Sequence, residues 1–220
     1  EWERNGIDVD GDGKIDVDLP AMGAKVDHKD LFVQVDWMLR LPGLCYPPAC
    51  ANDDFASAVP PNPAVLERIG DAFSQAPVTN PDRTTGIAVH FDAGYRTPTR
   101  YGIREPFRKG QQLGEQLIPP PNTKTEPYRQ ADAVQDFKNR WFPSERATSF
   151  TWLLYSAQLA NTPTAAHEQL GLAPGTPGDV AMVSTYATRS PDLEAVTAMH
   201  EIGHTLGLRH GGVDDANYKP

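Results

Sequence analysis

The sequence predicts an α/β (α+β) domain. Short apolar runs with period two alternate with stretches whose apolar residues recur at helical spacing, in the order strand, helix, strand, helix, strand, strand, helix. The 220 residues are 39% hydrophobic and 22% charged, enough to bury a packed core. No internal repeat competes with this order.

The elements follow in turn. Leu31 to Trp37 alternates, with Leu31, Val33, Val35 and Trp37 on one side and Phe32, Gln34 and Asp36 on the other, and reads as a strand. The proline-, alanine- and asparagine-rich stretch up to Pro63 reads as a long loop, with Asp53 and Asp54 as a solvated pair. Asn62-Pro63 supplies a cap and a first-turn proline. Leu66, Ile69, Ala72 and Phe73 then make one apolar face, predicting a helix over 63–76. A second strand is expected over 86–92, with His90 as a structural histidine. Residues 94–130 read as a long polar loop. A helix over 131–141 and a strand over 150–155 come next, then a proline- and glycine-rich loop over 157–179. A fourth strand is expected over 179–186. Ser190-Pro191-Asp192 gives a cap, an initial proline and an acidic first turn, so the last helix should run from Pro191 to Leu206.

Charge narrows the function. Twenty basic residues against 29 acidic ones give a net charge of −9, which excludes a general nucleic-acid binder and suits a chain that holds cations. No apolar run approaches the length of a membrane span, so no membrane partner is expected. The chain starts at Glu1 with no initiator Met, which points to processing or trimming. Cys45 and Cys50 bracket Tyr-Pro-Pro-Ala, and in a secreted protein the pair is expected to close a disulfide loop, with two free thiols as the alternative.

The strongest motif is His-Glu-Ile-Gly-His-Thr-Leu-Gly-Leu-Arg-His at positions 200–210. Residues four apart share a helix face, so His200 and His204 can present their imidazoles to one metal ion. Gly207 can stop the helix with positive φ and let His210 return to the same ion. Three imidazoles leave a tetrahedral zinc one position for water, the mark of a catalytic site. Glu201 cannot share the direction of His200, and is placed to reach that water as a general base.

A second motif lies near the start. Asp8, Asp10, Asp12, Gly13, Lys14, Asp16 and Asp18 follow the Asp-x-Asp-x-Asp-Gly pattern of an EF-hand-type calcium loop, with the carbonyl of Lys14 as a further ligand. The twelfth position is Leu19 where such loops carry Glu, so Asp16 or Asp18 would supply the closing carboxylate. No helix-loop-helix is evident, so a structural calcium loop is expected in place of a sensor.

The full HExxHxxGxxH pattern of His200, Glu201, His204, Gly207 and His210 resembles the metzincin clan of zinc endopeptidases. The resemblance implies a twisted mixed sheet backed by helices, with the zinc-binding helix closing an upper subdomain. It also implies an edge strand that pairs with extended substrate, for which Ala181, Met182, Val183 and Ser184 are the candidates because they directly precede the zinc helix. That family carries a Met-turn beyond the third histidine. Here the methionines are Met22, Met38, Met182 and Met199, so the resemblance stops short of the lower subdomain. Either the sequence ends before the natural C-terminus, or a separate, cleaved fragment completes the fold.

The chain therefore divides into a calcium-loop segment (1–30), a catalytic upper subdomain (31–210) and the start of a lower subdomain (211–220). The expected function is a secreted, calcium-stabilised zinc endopeptidase acting on protein or peptide substrates. The alternative is a calcium-dependent binding or adhesion module with a vestigial zinc site.

Overall fold

The computed structural model describes residues 1–39, 61–115, 117, 119, 129–157, 159, 169–188 and 190–210. Within them a six-stranded mixed sheet lies between helices. The strands are β1 (Asp30–Met38), β2 (Ala88–Asp92), β3 (Gln112–Leu113), β4 (Phe150–Ser156), β5 (Gly171–Leu172) and β6 (Val180–Ser184). The spatial order is β2-β1-β4-β6-β5, and β3 pairs with the end of β1. Every pairing is parallel except β5 against β6.

The predicted alternation of β1 becomes burial on both faces from Phe32 to Met38. This follows from its central place: a parallel strand covered on both sides reads as a nearly continuous apolar run. One face of the sheet carries Val33, Val35, Leu153, Tyr155 and Val183. It packs on α3 (Pro63–Ser74) and α6 (Pro191–Thr205) through Leu66, Ile69, Ala195, Ala198 and Ile202. The other face carries Phe32, Trp152, Leu154 and Met182 and packs on Val134 and Phe137 of α4 (Arg129–Trp141). Ile7, Val17, Leu19 and Met22 join this second cluster, so the first thirty residues share the core of the strands that follow them.

Local signals set the helix ends. The Asn62 side chain accepts from the Ala64 N–H at 3.0 Å, and Pro63 occupies the first turn. The helix ends at Ser74, two residues earlier than expected, and Pro77 prevents its continuation. The strand expected over 179–186 is shorter, because Thr185–Thr188 turns into the one-turn helix α5. β3 and β5 fall inside the two stretches read as loops. At two residues each they are too short to show a period. No helix among the described residues is long and apolar enough to cross a membrane.

A buried polar network lies on the α4 side of the sheet. The Arg146 guanidinium, 1% exposed, donates to Asp92 at 2.6 Å and to the Gln34 carbonyl at 2.8 Å, and also to the Phe107 carbonyl. Asp92 accepts in addition from the N–H groups of Gly94, Lys109 and Gly110. Asp36 accepts from Gln34, from the Gln111 N–H and from the Trp152 indole. Burial still pushes the Asp36 carboxyl up to about 6 from 3.8, against the pull of these donors.

A raised carboxyl favours folding while it stays protonated. The Asp36 contribution is present below about pH 4 and is lost as pH rises through about 6, a change of about 3 kcal/mol. Urea unfolding of the wild type and of Asp36→Asn across this range should show the difference between them shifting against the wild type as pH rises. A constant difference would contradict the assignment.

Candidate metal centre and active site

Helix α6 builds the candidate centre. The Ser190 hydroxyl accepts from the Leu193 N–H at 3.2 Å, Pro191 fills the first position, and Asp192 and Glu194 lie in the first turn. The start is the predicted one, and the helix ends at Thr205, within a residue of expectation. Gly207 has φ 91°, its N–H bonds the His204 carbonyl at 2.9 Å, and the Leu208 N–H bonds the Gly203 carbonyl at 3.0 Å. This paired closure satisfies the last carbonyls and reverses the chain, and glycine adopts the left-handed residue at least cost.

The reversal brings His210 back to the helix. The Nε2 atoms of His200 and His210 are 2.9 Å apart, and that of His204 lies 3.1 Å from each. Three ring nitrogens at this spacing can share one cation, since imidazole–zinc bonds measure about 2.0–2.1 Å. His204 is also oriented from behind: its Nδ1 lies 2.6 Å from the Leu208 carbonyl. With Nδ1–H donating there, Nε2 is left as the free lone pair facing its two neighbours. Burial, aided by the charges of His204 and His210, holds the His200 imidazole below its usual pKa and favours the neutral, ligating form. The donor set and its orientation fit a cation. Leu208 is a supporting residue that the spacing alone does not name.

Glu201 does not join the three nitrogens. It is 7% exposed and lies against β5. Burial pushes its carboxyl up to about 7, partly offset by the Ala173 N–H. A buried carboxyl next in the helix to one of three converging imidazoles is a group suited to move a proton.

The sheet corrects one expectation. Ala181, Met182, Val183 and Ser184 are fully buried and lie between β4 and β5, with Leu154↔Met182 on one side and Leu172↔Met182 on the other. They form an inner strand. The edge is β5, half-buried and antiparallel to β6. An unbroken apolar run marks an inner parallel strand. Gly171-Leu172, followed at 174 by proline, carries no alternation that a sequence reading could detect.

At the N-terminus, carboxylate oxygens of Asp8, Asp10 and Asp16 gather within 4.8 Å of one another, all on exposed residues. Backbone donors shape the turn: Asp8 accepts from Gly11 and Gly13 at 2.7 and 2.9 Å, and Asp16 accepts from Val9 at 2.8 Å. The Ile7–Val17 bridge clamps the ends of the loop. Asp12 lies apart, paired with the Lys14 ammonium at 2.8 Å. Asp18 accepts from the Ala21 N–H at 3.0 Å and caps α2 (Leu19–Met22), and Asp16 is the residue gathered with Asp8 and Asp10. One-turn helices do flank the loop, α1 (Trp2–Asn5) and α2, too short to have been visible as periodic runs. His90 is structural as expected, held by Asp30 at 2.6 Å and stacked on Phe32. Cys45, Cys50 and residues 211–220 lie outside the described residues.

No family model, no curated protein and no solved structure matches this chain.

Proposed function

We propose that this chain is a secreted zinc endopeptidase of metzincin type, stabilised by calcium, that hydrolyses peptide bonds in proteins. The observation that carries the reading is the convergence of the His200, His204 and His210 Nε2 atoms, within 3.1 Å of one another, on the helix that also seats a buried Glu201. A bound zinc would polarise the scissile carbonyl and acidify an attacking water. His200, His204 and His210 would hold it, and Leu208 fixes the tautomer of His204. Glu201 takes one proton from the water as its oxygen bonds to the carbonyl carbon. It then passes that proton to the amine nitrogen as the carbon–nitrogen bond breaks. The β5 edge offers backbone groups to an extended substrate, and it lies against Glu201.

The test is cleavage of casein by the zinc-loaded chain, abolished by a chelator and restored by zinc. Absence of cleavage in the zinc-loaded chain would leave the calcium-dependent binding module as the reading. For calcium, the expected result is a higher thermal midpoint. A ligand bound only by the folded state at about 100-fold above its Kd adds ~2.7 kcal/mol. The shift should vanish in Asp8→Ala, because Asp8 belongs to the carboxylate cluster and holds two N–H groups of the turn. An equal shift in that variant would place calcium elsewhere.

A further inference from the structure

Glycine at position 171 is not explained by backbone conformation. Among the described residues seven glycines have φ in the left-handed region and Gly171 is not one of them, so alanine there would meet no torsional strain. What alanine would meet is Glu201. A Cβ built on Gly171 stands 2.5 Å from Glu201 Oε1, 2.6 Å from Cγ and 2.8 Å from Cδ. All three are closer than a methyl group can approach, and Cγ belongs to the stem of the side chain, so the whole carboxyl group would have to move. Neighbouring structure fixes the other wall. Gly171 registers with Val183, and the Ser184 N–H bonds the Leu170 carbonyl at 2.8 Å, so β5 cannot drift outwards without breaking its ladder. Leu172 packs into the α4-side cluster, which pins the strand from its opposite face. Two residues on from Gly171, the Ala173 N–H donates to the same carboxyl.

We propose that Gly171 is a positioning residue for Glu201, its bare Cα forming the seat in which the carboxyl group lies at the height needed to meet the attacking water. The inference rests on the peptidase reading for its catalytic consequence, but the seat itself is a contact that can be measured without catalysis. The substrate-pairing edge and the proton-transfer group then share one wall. Any side chain at 171 would displace the base and crowd the same edge.

The experiment is a double-mutant cycle on the zinc-loaded chain, with Gly171→Ala, Glu201→Ala and the pair together. Gly171→Ala is expected to lower kcat about 100-fold, the scale of an ångström-sized misplacement of a reacting group. Zinc affinity should stay at the wild-type value. In thermal unfolding, Gly171→Ala should lower the midpoint when Glu201 is present and leave it unchanged in the Glu201→Ala background, where the clash has no partner. An equal drop in both backgrounds would overturn the proposal, as would full peptidase activity in Gly171→Ala. If the single variant fails to fold while the pair folds, the proposal stands. If neither folds, it falls. A coupled pair in a chain that cleaves no peptide sinks the peptidase reading and leaves the seat intact.

Discussion

Alanine at position 201 is expected to remove peptide hydrolysis by about 10²–10⁴-fold, the range over which a positioned acid–base group contributes. Zinc binding should persist, because the candidate site is made by His200, His204 and His210 and no carboxylate oxygen of Glu201 belongs to it. The two measurements together distinguish a base from a ligand. Loss of zinc alongside loss of activity would make Glu201 part of the metal shell. Unchanged cleavage would remove it from the chemistry altogether. Glu201→Gln is the sharper control, since it keeps the volume that fills the space beside β5 while removing the proton acceptor. It should be as inactive as the alanine variant and nearer the wild type in stability.

The second large effect concerns the fold. Arg146→Met is expected to cost about 3–5 kcal/mol, the range for removing one partner of a buried ion pair. The guanidinium is 1% exposed and Asp92 is fully buried, so neither charge has access to water that would soften the loss. Three backbone N–H groups, of Gly94, Lys109 and Gly110, still reach Asp92 in the variant, which places the effect toward the lower end. Gln34 and the Phe107 carbonyl each lose a donor, and the stacking over Phe150 at 4.4 Å goes too. Arg146→Lys should recover only part of the stability, since a single ammonium cannot span three acceptors with the planar geometry of a guanidinium. Chemical denaturation checks both, and a cost of less than about 1 kcal/mol for the methionine variant would show that the backbone N–H groups of Gly94, Lys109 and Gly110 hold Asp92 without the guanidinium.

The helix that carries His200 and His204 was readable because its signals are local. Ser190-Pro191 starts it, Gly207 stops it, and the four-residue interval between His200 and His204 needs only helical geometry to align them. The central strands were readable as apolar runs, although the period-two reading of β1 hid its burial on both faces. What the sequence concealed depends on contacts between distant segments. Arg146 and Asp92 are 54 positions apart and look like ordinary surface charges until the sheet brings them together. Gly171 looks like a loop glycine until Glu201 arrives beside it. Asp18 is different, because a signal was present: an acidic residue just before Leu19-Pro20 suits a helix cap, which is the role its side chain takes toward Ala21.

The backbone of Leu208 serves two masters. Its N–H closes the helix on Gly203 and its carbonyl steadies His204. Fraying of that final turn therefore frees the ring and unlatches the helix terminus in one motion, so slow exchange of the Leu208 amide proton reports the hold on the His204 ring as well.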